Sequence, residues 1–167
     1  MNLKNNTSNV LSMITACVLA ILMLIIVSNN LPQLQTKFLN KWYSDFGLSG
    51  LIIDSSLLMI NIIVTVYLYF NIYSQYNLTQ FILLALGVQL VQSLLLIGLV
   101  NITPRGTNKV FDWFKDNRST MNMTAILEDM GSMALAVLLY TRLHRNKMDT
   151  NLMLLAGSIL LTQFMIH

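Results

Sequence analysis

Residues 50–70 read GLIIDSSLLMINIIVTVYLYF, an apolar run long enough to cross a lipid bilayer. About 20 apolar residues in a helix cover the hydrocarbon thickness, at roughly 1.5 Å per residue. The run nevertheless carries Asp54 and Asn61. A carboxylate at the centre of a membrane helix costs at least about 2.5 kcal/mol. A helix of this kind therefore needs neighbouring helices that offer polar partners to Asp54.

The rest of the chain supplies further apolar blocks. Of its 167 residues, 55% are hydrophobic and 10% are charged, whereas a soluble domain has about 25% charged residues. In lipid, a helical bundle satisfies the backbone hydrogen bonds internally. The sequence therefore predicts an all-α membrane protein, a bundle of four to five transmembrane helices that forms one domain over residues 1–167. The predicted spans are 10–28, 50–70, 78–100, 122–141 and 151–166.

Two longer loops contain mixtures of basic and aromatic residues. Residues 109–117, KVFDWFKDN, predict a short amphipathic helix in the membrane interface. Residues 31–49 are expected to form a loop whose aromatic residues anchor it at the interface. The candidates for contact with lipid or a protein partner are Trp42, Arg105, Lys109, Trp113, Lys115 and Arg118.

Polar residues recur inside three of the apolar blocks at helical spacing. Because such side chains are expensive in lipid, we expect the three polar stripes to meet inside the bundle. One interpretation is a proton or cation path, or a site for a small polar ligand. The other is hydrogen bonding between helices, worth roughly 0.6 kcal/mol per contact. The candidates for an ion path or a polar core are Asp54, Asn61, Gln89, Gln92, Glu128 and Asp129.

Enzyme signatures are weak in this chain. Residues 47–50, GLSG, match the GxSG of rhomboid proteases with Ser49 as nucleophile, but that mechanism needs an intramembrane histidine. The histidines are His144, in a predicted loop, and His167 at the end of the sequence. The pattern of intramembrane aspartyl proteases is not matched, and no metal-ligand spacing is present. We expect no enzymatic activity, no cofactor and no metal.

Several segments together resemble an uncharacterised family of integral membrane proteins from giant viruses of the nucleocytoplasmic large DNA group. The segments that carry the resemblance are 42–49 (WYSDFGLS), 85–90 (ALGVQL), 104–106 (PRG), 111–115 (FDWFK) and 125–130 (AILEDM). The resemblance covers residues 41 to the end of the sequence. It implies that members of the family also have an aspartate at the positions of Asp54 and Asp129. Members of that family have a His-Asp pair where this chain has Gln92 and Ser93. This difference removes a titratable histidine and weakens the interpretation as a proton relay.

The sequence and the resemblance lead to two functional hypotheses. The first is a viral integral membrane protein with a structural or assembly role, in the internal membrane of the virion or a host endomembrane. Its partners would be the lipid bilayer, further copies of itself, and capsid or other viral membrane proteins. The net charge of +3 fits lipid headgroups, not nucleic acid. The alternative is a small channel or proton/cation conductor that uses Asp54 and Asp129.

Overall fold

The computed structural model describes residues 6–30, 37–117 and 123–166. These residues form seven α-helices and no strand, so the predicted all-α class is confirmed. The helices are α1 (Asn6–Asn30), α2 (Lys37–Phe46), α3 (Leu48–Ile72), α4 (Leu78–Ile102), α5 (Lys109–Asp116), α6 (Met123–Leu143) and α7 (Met148–Ile166).

The predicted number of four to five transmembrane helices is wrong. Within the described ranges, three helices are long and apolar enough to cross a membrane: α1, α3 and α4. Charged and polar residues explain why α6 and α7 are less apolar than these three helices. Helix α6 carries Glu128, Asp129 and Arg142, and helix α7 begins with Asp149 and Asn151.

The segment expected to be a loop before α3 contains a helix, α2, over Lys37–Phe46. Its apolar residues follow helical spacing and lie on one face, which packs on α3. Leu39, Trp42 and Tyr43 are buried on this face. Trp42, with 3% of its surface exposed, is therefore not available as a contact for an external partner.

Four long helices surround the centre of the molecule. Helix α1 packs against α3 and α6, and helix α4 packs against the same two helices. Helix α7 lies outside this ring, on α1, while α2 and α5 pack at one end of the bundle on α3 and α4. The most deeply buried apolar residues lie away from α2 and α5; they include Ile62, Phe81, Ala85, Met133 and Val137.

Helices α3 and α4 form a hairpin with a short connection. The hydroxyl of the fully buried Tyr69 accepts a hydrogen bond from the backbone N–H of Asn77, at 2.7 Å. The Asn77 side chain in turn accepts from the N–H groups of Thr79 and Gln80, at 3.0 and 3.3 Å. Asn77 thus caps the N-terminus of α4 and is held by α3.

A second group of buried polar residues joins α1, α6 and α7 at the other end of the bundle. The side-chain nitrogen of Asn151, Nδ2, donates to the Ser12 hydroxyl at 2.8 Å and to the Leu143 carbonyl at 3.1 Å. The Thr15 hydroxyl is 3.3 Å from the Asn151 carbonyl. Asn151 is fully buried, so its side chain connects three helices without contact with solvent.

Candidate functional site

A cavity of about 690 Å³ lies at the α2–α5 end of the bundle, and residues of helices α1 to α6 line it. Its polar lining comes from the three stripes that the sequence predicted to meet. Asp54 comes from α3, Gln89 and Gln92 come from α4, and Glu128 and Asp129 come from α6. The structure therefore brings five of the six predicted polar-core residues to one cavity.

Asp54 is held by the unexpected helix α2. One of its oxygens, Oδ2, accepts hydrogen bonds from Trp42 Nε1 at 3.0 Å and from the Tyr43 hydroxyl at 2.8 Å. Burial, followed by the negative charge of Asp54, raises the pKa of Tyr43 well above its usual value. The phenol therefore keeps its proton and acts as a donor.

Helix α2 can approach Asp54 closely because a glycine lies beneath Trp42. A Cβ atom placed on Gly50 would lie 3.0 Å from Trp42 Nε1 and 3.4 Å from the Cβ of Phe46. Since Trp42 is also fixed by Asp54, its ring cannot move away without losing that hydrogen bond. A side chain at residue 50 would therefore crowd the contact between α2 and α3.

We expect Gly50→Ala to lower the free energy of unfolding by about 1–2 kcal/mol, as crowding of a packed contact does. Thermal unfolding in detergent, followed by circular dichroism, measures the change. Gly87→Ala is the matched control, because Gly87 is also helical and has no atom within 4 Å of its added Cβ. If both variants unfold at the same temperature, the close approach of Trp42 to Gly50 does not contribute to stability.

Asn61, the sixth candidate, lies next to the cavity in a layer of amides. Its side-chain nitrogen donates to Gln89 Oε1 at 2.7 Å and to Gln92 Oε1. The Thr65 hydroxyl donates to the Asn61 carbonyl at 2.7 Å. Both Asn61 and Thr65 are buried, which indicates that this layer stabilises the contact between α3 and α4.

Asp129 faces the cavity from α6 and remains exposed. Its Oδ2 accepts from the Ser93 hydroxyl at 3.3 Å, and Ser93 is 3.4 Å from Gln89 Nε2. One turn further along α6, Ser132 lines the cavity with 6% of its surface exposed. Among the described residues Ser132 has no hydrogen-bond partner, so its hydroxyl is free to bind a ligand.

The charged side chains that line the cavity are all acidic among the described residues. None of the described residues that line it is basic. In the described part of the chain, neither Asp54 nor Asp129 forms an ion pair. Glu128 adds a third carboxyl group to the lining. The described residues contain no group of three or more His, Cys, Asp or Glu side chains that could hold a metal ion.

The cavity occupies only one part of the bundle. Its lining includes Leu58, Gln89 and Ser132. About one turn beyond Leu58 on α3 and beyond Ser132 on α6, Ile62 and Ala136 have no exposed surface. The cavity is therefore closed by packed side chains on the side away from α2 and α5.

The predicted contact residues lie beside the cavity in different environments. Trp113 is half-buried, its ring centroid lies 5.1 Å from that of Trp42, and its Nε1 donates to Asp45 at 2.6 Å. Arg105 is exposed and pairs with Asp116 at 2.7 Å. The remaining candidates are Lys109, which is exposed, Lys115, which donates to the Thr103 carbonyl, and Arg118, which lies outside the described residues.

Two features of the site were missed from the sequence. The first is Tyr43, which the sequence predicts to be an interface anchor and which instead donates to Asp54. The apolar spacing of residues 38–46 would have indicated the helix that places it. The second is the polar cluster around Asn151, which an asparagine within an apolar block could have indicated.

Comparison of the chain with models of protein families, with curated proteins and with solved structures found no match.

Proposed function

We propose that this chain is an integral membrane protein that binds a small cationic ligand in the acidic cavity of its helical bundle. The observation that carries the proposal is that Asp54 and Asp129 line one cavity without an ion pair among the described residues. Acidic side chains inside membrane proteins are expensive and commonly mark a functional site. A cationic ligand would supply the charge that the described lining lacks.

Three helices support the membrane part of the proposal. Helices α1, α3 and α4 are long and apolar enough to cross a bilayer. The outward faces of α3 and α4 expose large apolar side chains, among them Ile63, Leu83, Leu94 and Leu95. Contiguous apolar surface of this kind suits contact with lipid or with another membrane protein.

Conduction of cations is a second candidate function, which is favoured because both Asp54 and Asp129 line the cavity. A conductor would also need a path from Gln89 and Ser132 to the opposite end of the bundle. The side chains of Ile62, Phe81 and Met133 fill that region and are fully buried. The geometry therefore supports binding better than transport.

The hypothesis of a structural or assembly protein from a giant virus rests on the resemblance of the sequence segments. Exposed basic residues near α5, Arg105 and Lys109, support it as a surface for capsid or membrane partners. It is compatible with a ligand site, since a bound cation could also stabilise an assembled form.

Charge-selective labelling of a cysteine in the cavity tests the proposal. Ser132→Cys is introduced into a Cys17→Ala background, where it provides the single thiol of the chain. The protein is reacted in lipid nanodiscs with a trimethylammonium-ethyl methanethiosulfonate and with its sulfonate analogue. We expect the cationic reagent to react about tenfold faster, because a cavity lined by one sign of charge concentrates counter-ions.

The controls separate the cavity from the general charge of the protein. Ser74→Cys, in the exposed α3–α4 connection, gives the intrinsic ratio of the two reagents. Adding Asp54→Asn and Asp129→Asn should reduce the preference at Ser132→Cys to that ratio. The same ratio of cationic to anionic labelling rates at Ser132→Cys and at Ser74→Cys, or no reaction at Ser132→Cys, would overturn the proposal.

A further inference from the structure

We infer that the ligand of this cavity is an amphipathic organic cation, with its ammonium group between Asp54 and Asp129 and its apolar body against the leucine and phenylalanine wall. The inference rests on the proposed function and specifies the chemical class of the ligand. It draws on the size of the cavity, the division of its lining and the free hydroxyl of Ser132.

The size of the cavity excludes a bare ion as its full occupant. A volume of about 690 Å³ lies within the range of small-molecule sites, roughly 300–1,000 Å³. A water molecule takes up about 30 Å³ in the liquid, and a bare monoatomic cation is no larger. The cavity therefore accommodates a ligand with a substantial apolar part.

The lining divides into a polar and an apolar part. The polar part includes the carboxyl groups with Gln89, Gln92, Ser93 and Ser132. The apolar part comes from all six lining helices, and includes Leu57, Leu96, Ile97, Phe111 and Phe114. An apolar body would bury its surface against these side chains, as in most sites for organic ligands.

The charged end of the ligand is defined by what the described lining offers. Two carboxyl groups and the free hydroxyl of Ser132 are acceptors for an ammonium N–H group. An anionic ligand would meet the same carboxyl groups and no basic side chain among the described lining residues. A divalent metal would lack a suitable group of ligands, since the described residues contain none.

The position of the cavity suits a ligand that reaches it from the membrane interface. It lies at the end of the bundle where α2 and α5 pack, and both helices carry aromatic and charged residues. Aromatic residues such as Trp42 and Trp113 are typical of the depth at which lipid headgroups lie. An amphipathic cation concentrates at the same depth, with its charge near the headgroups.

Protection of Ser132→Cys from labelling tests the inference with four probes. Decylammonium has both parts of the inferred ligand, methylammonium has only the charge, decanol has only the chain, and decyl sulfate reverses the charge. Each is added below its micelle concentration to nanodiscs of constant lipid content, and its loss to empty nanodiscs is subtracted. We expect decylammonium to protect at a concentration at least tenfold lower than any of the other three.

The Asp129→Asn variant tests whether the negative charge of Asp129 causes the stronger protection by decylammonium. Asp129 is exposed and accepts one hydrogen bond among the described residues, so asparagine leaves the fold intact. This variant should reduce the advantage of decylammonium over decanol and leave protection by decanol unchanged. Unchanged protection by decylammonium in the variant would contradict the inference.

The outcomes separate this inference from the proposed function. If methylammonium protects as well as decylammonium, the cavity binds cations without regard to an apolar body, and only the inference fails. If decanol or decyl sulfate protects as well, the charge is irrelevant, and both fail. If the Ser132→Cys thiol shows no preference for the cationic reagent, the proposed function has already failed.

Discussion

Replacing Trp42 with alanine is expected to lower the free energy of unfolding by about 3–5 kcal/mol, the usual loss for a buried aromatic residue. Trp42 has 3% of its surface exposed and packs against Phe46 and Phe114, with ring centroids 4.4 and 5.4 Å away. The substitution also removes one of the two donors to Asp54. It would therefore loosen helix α2 and open one wall of the cavity.

Chemical unfolding in mixed micelles, followed by circular dichroism, measures this change. Trp42→Phe keeps an aromatic ring but removes the Nε1 donor, so its expected loss is smaller, about 1–2 kcal/mol. Tyr67→Ala is the control, because Tyr67 is 70% exposed on α3. A loss for Trp42→Ala no larger than that for Tyr67→Ala would show that α2 does not pack on the bundle.

The second large effect is expected at Asn151, where an aspartate should destabilise the protein by about 3–5 kcal/mol at neutral pH, as an uncompensated buried charge does. An ionised carboxylate has no hydrogen to donate to the Leu143 carbonyl, which Asn151 contacts at 3.1 Å. It would also lie in a fully buried position between α1, α6 and α7. A protonated carboxyl group can donate again, so the loss relative to the wild type should decrease in acid.

The difference between wild type and Asn151→Asp is measured at pH 7.5 and at about pH 4, near the usual range of an aspartate. Asn71→Asp serves as the control, since Asn71 is exposed and its side chain bonds only within α3. A loss for Asn151→Asp that stays the same at both pH values would contradict the role of the donor. Similar losses for the two variants would indicate that burial at residue 151 has no special effect.

Hydropathy and helical spacing were sufficient to locate six of the seven helices, because long apolar blocks leave few alternatives to helix. They overestimated the number of spans. Whether a helix such as α6 lies in lipid or against other helices depends on where Glu128 and Asp129 find partners, which is a property of the packed bundle. The short helix α2 was missed because its basic and aromatic residues were interpreted as interface anchors in a loop.

The polar residues of the site were predictable, whereas their pairing was not. The expense of polar groups in lipid indicated that Asn61, Gln89 and Asp129 would face inward. Asn61 and Gln89 are buried, and Asp129 lines the cavity while it remains exposed. No sequence pattern pairs Asp54 with Trp42 and Tyr43, because that contact depends on the approach of α2 over Gly50. The volume of the cavity depends on the same packing.

Under the proposed membrane location, the α3–α4 hairpin also bears on how the chain would enter a membrane during synthesis. Asn61 bonds to Gln89 and Gln92 across this hairpin, and Tyr69 bonds to the connection between its helices. All these groups lie within residues 61–92, one contiguous segment. Two adjacent helices that leave the translocation machinery together can therefore satisfy their intramembrane amides before α6 is synthesised. Asp129 comes later, and its partner Ser93 is already in place.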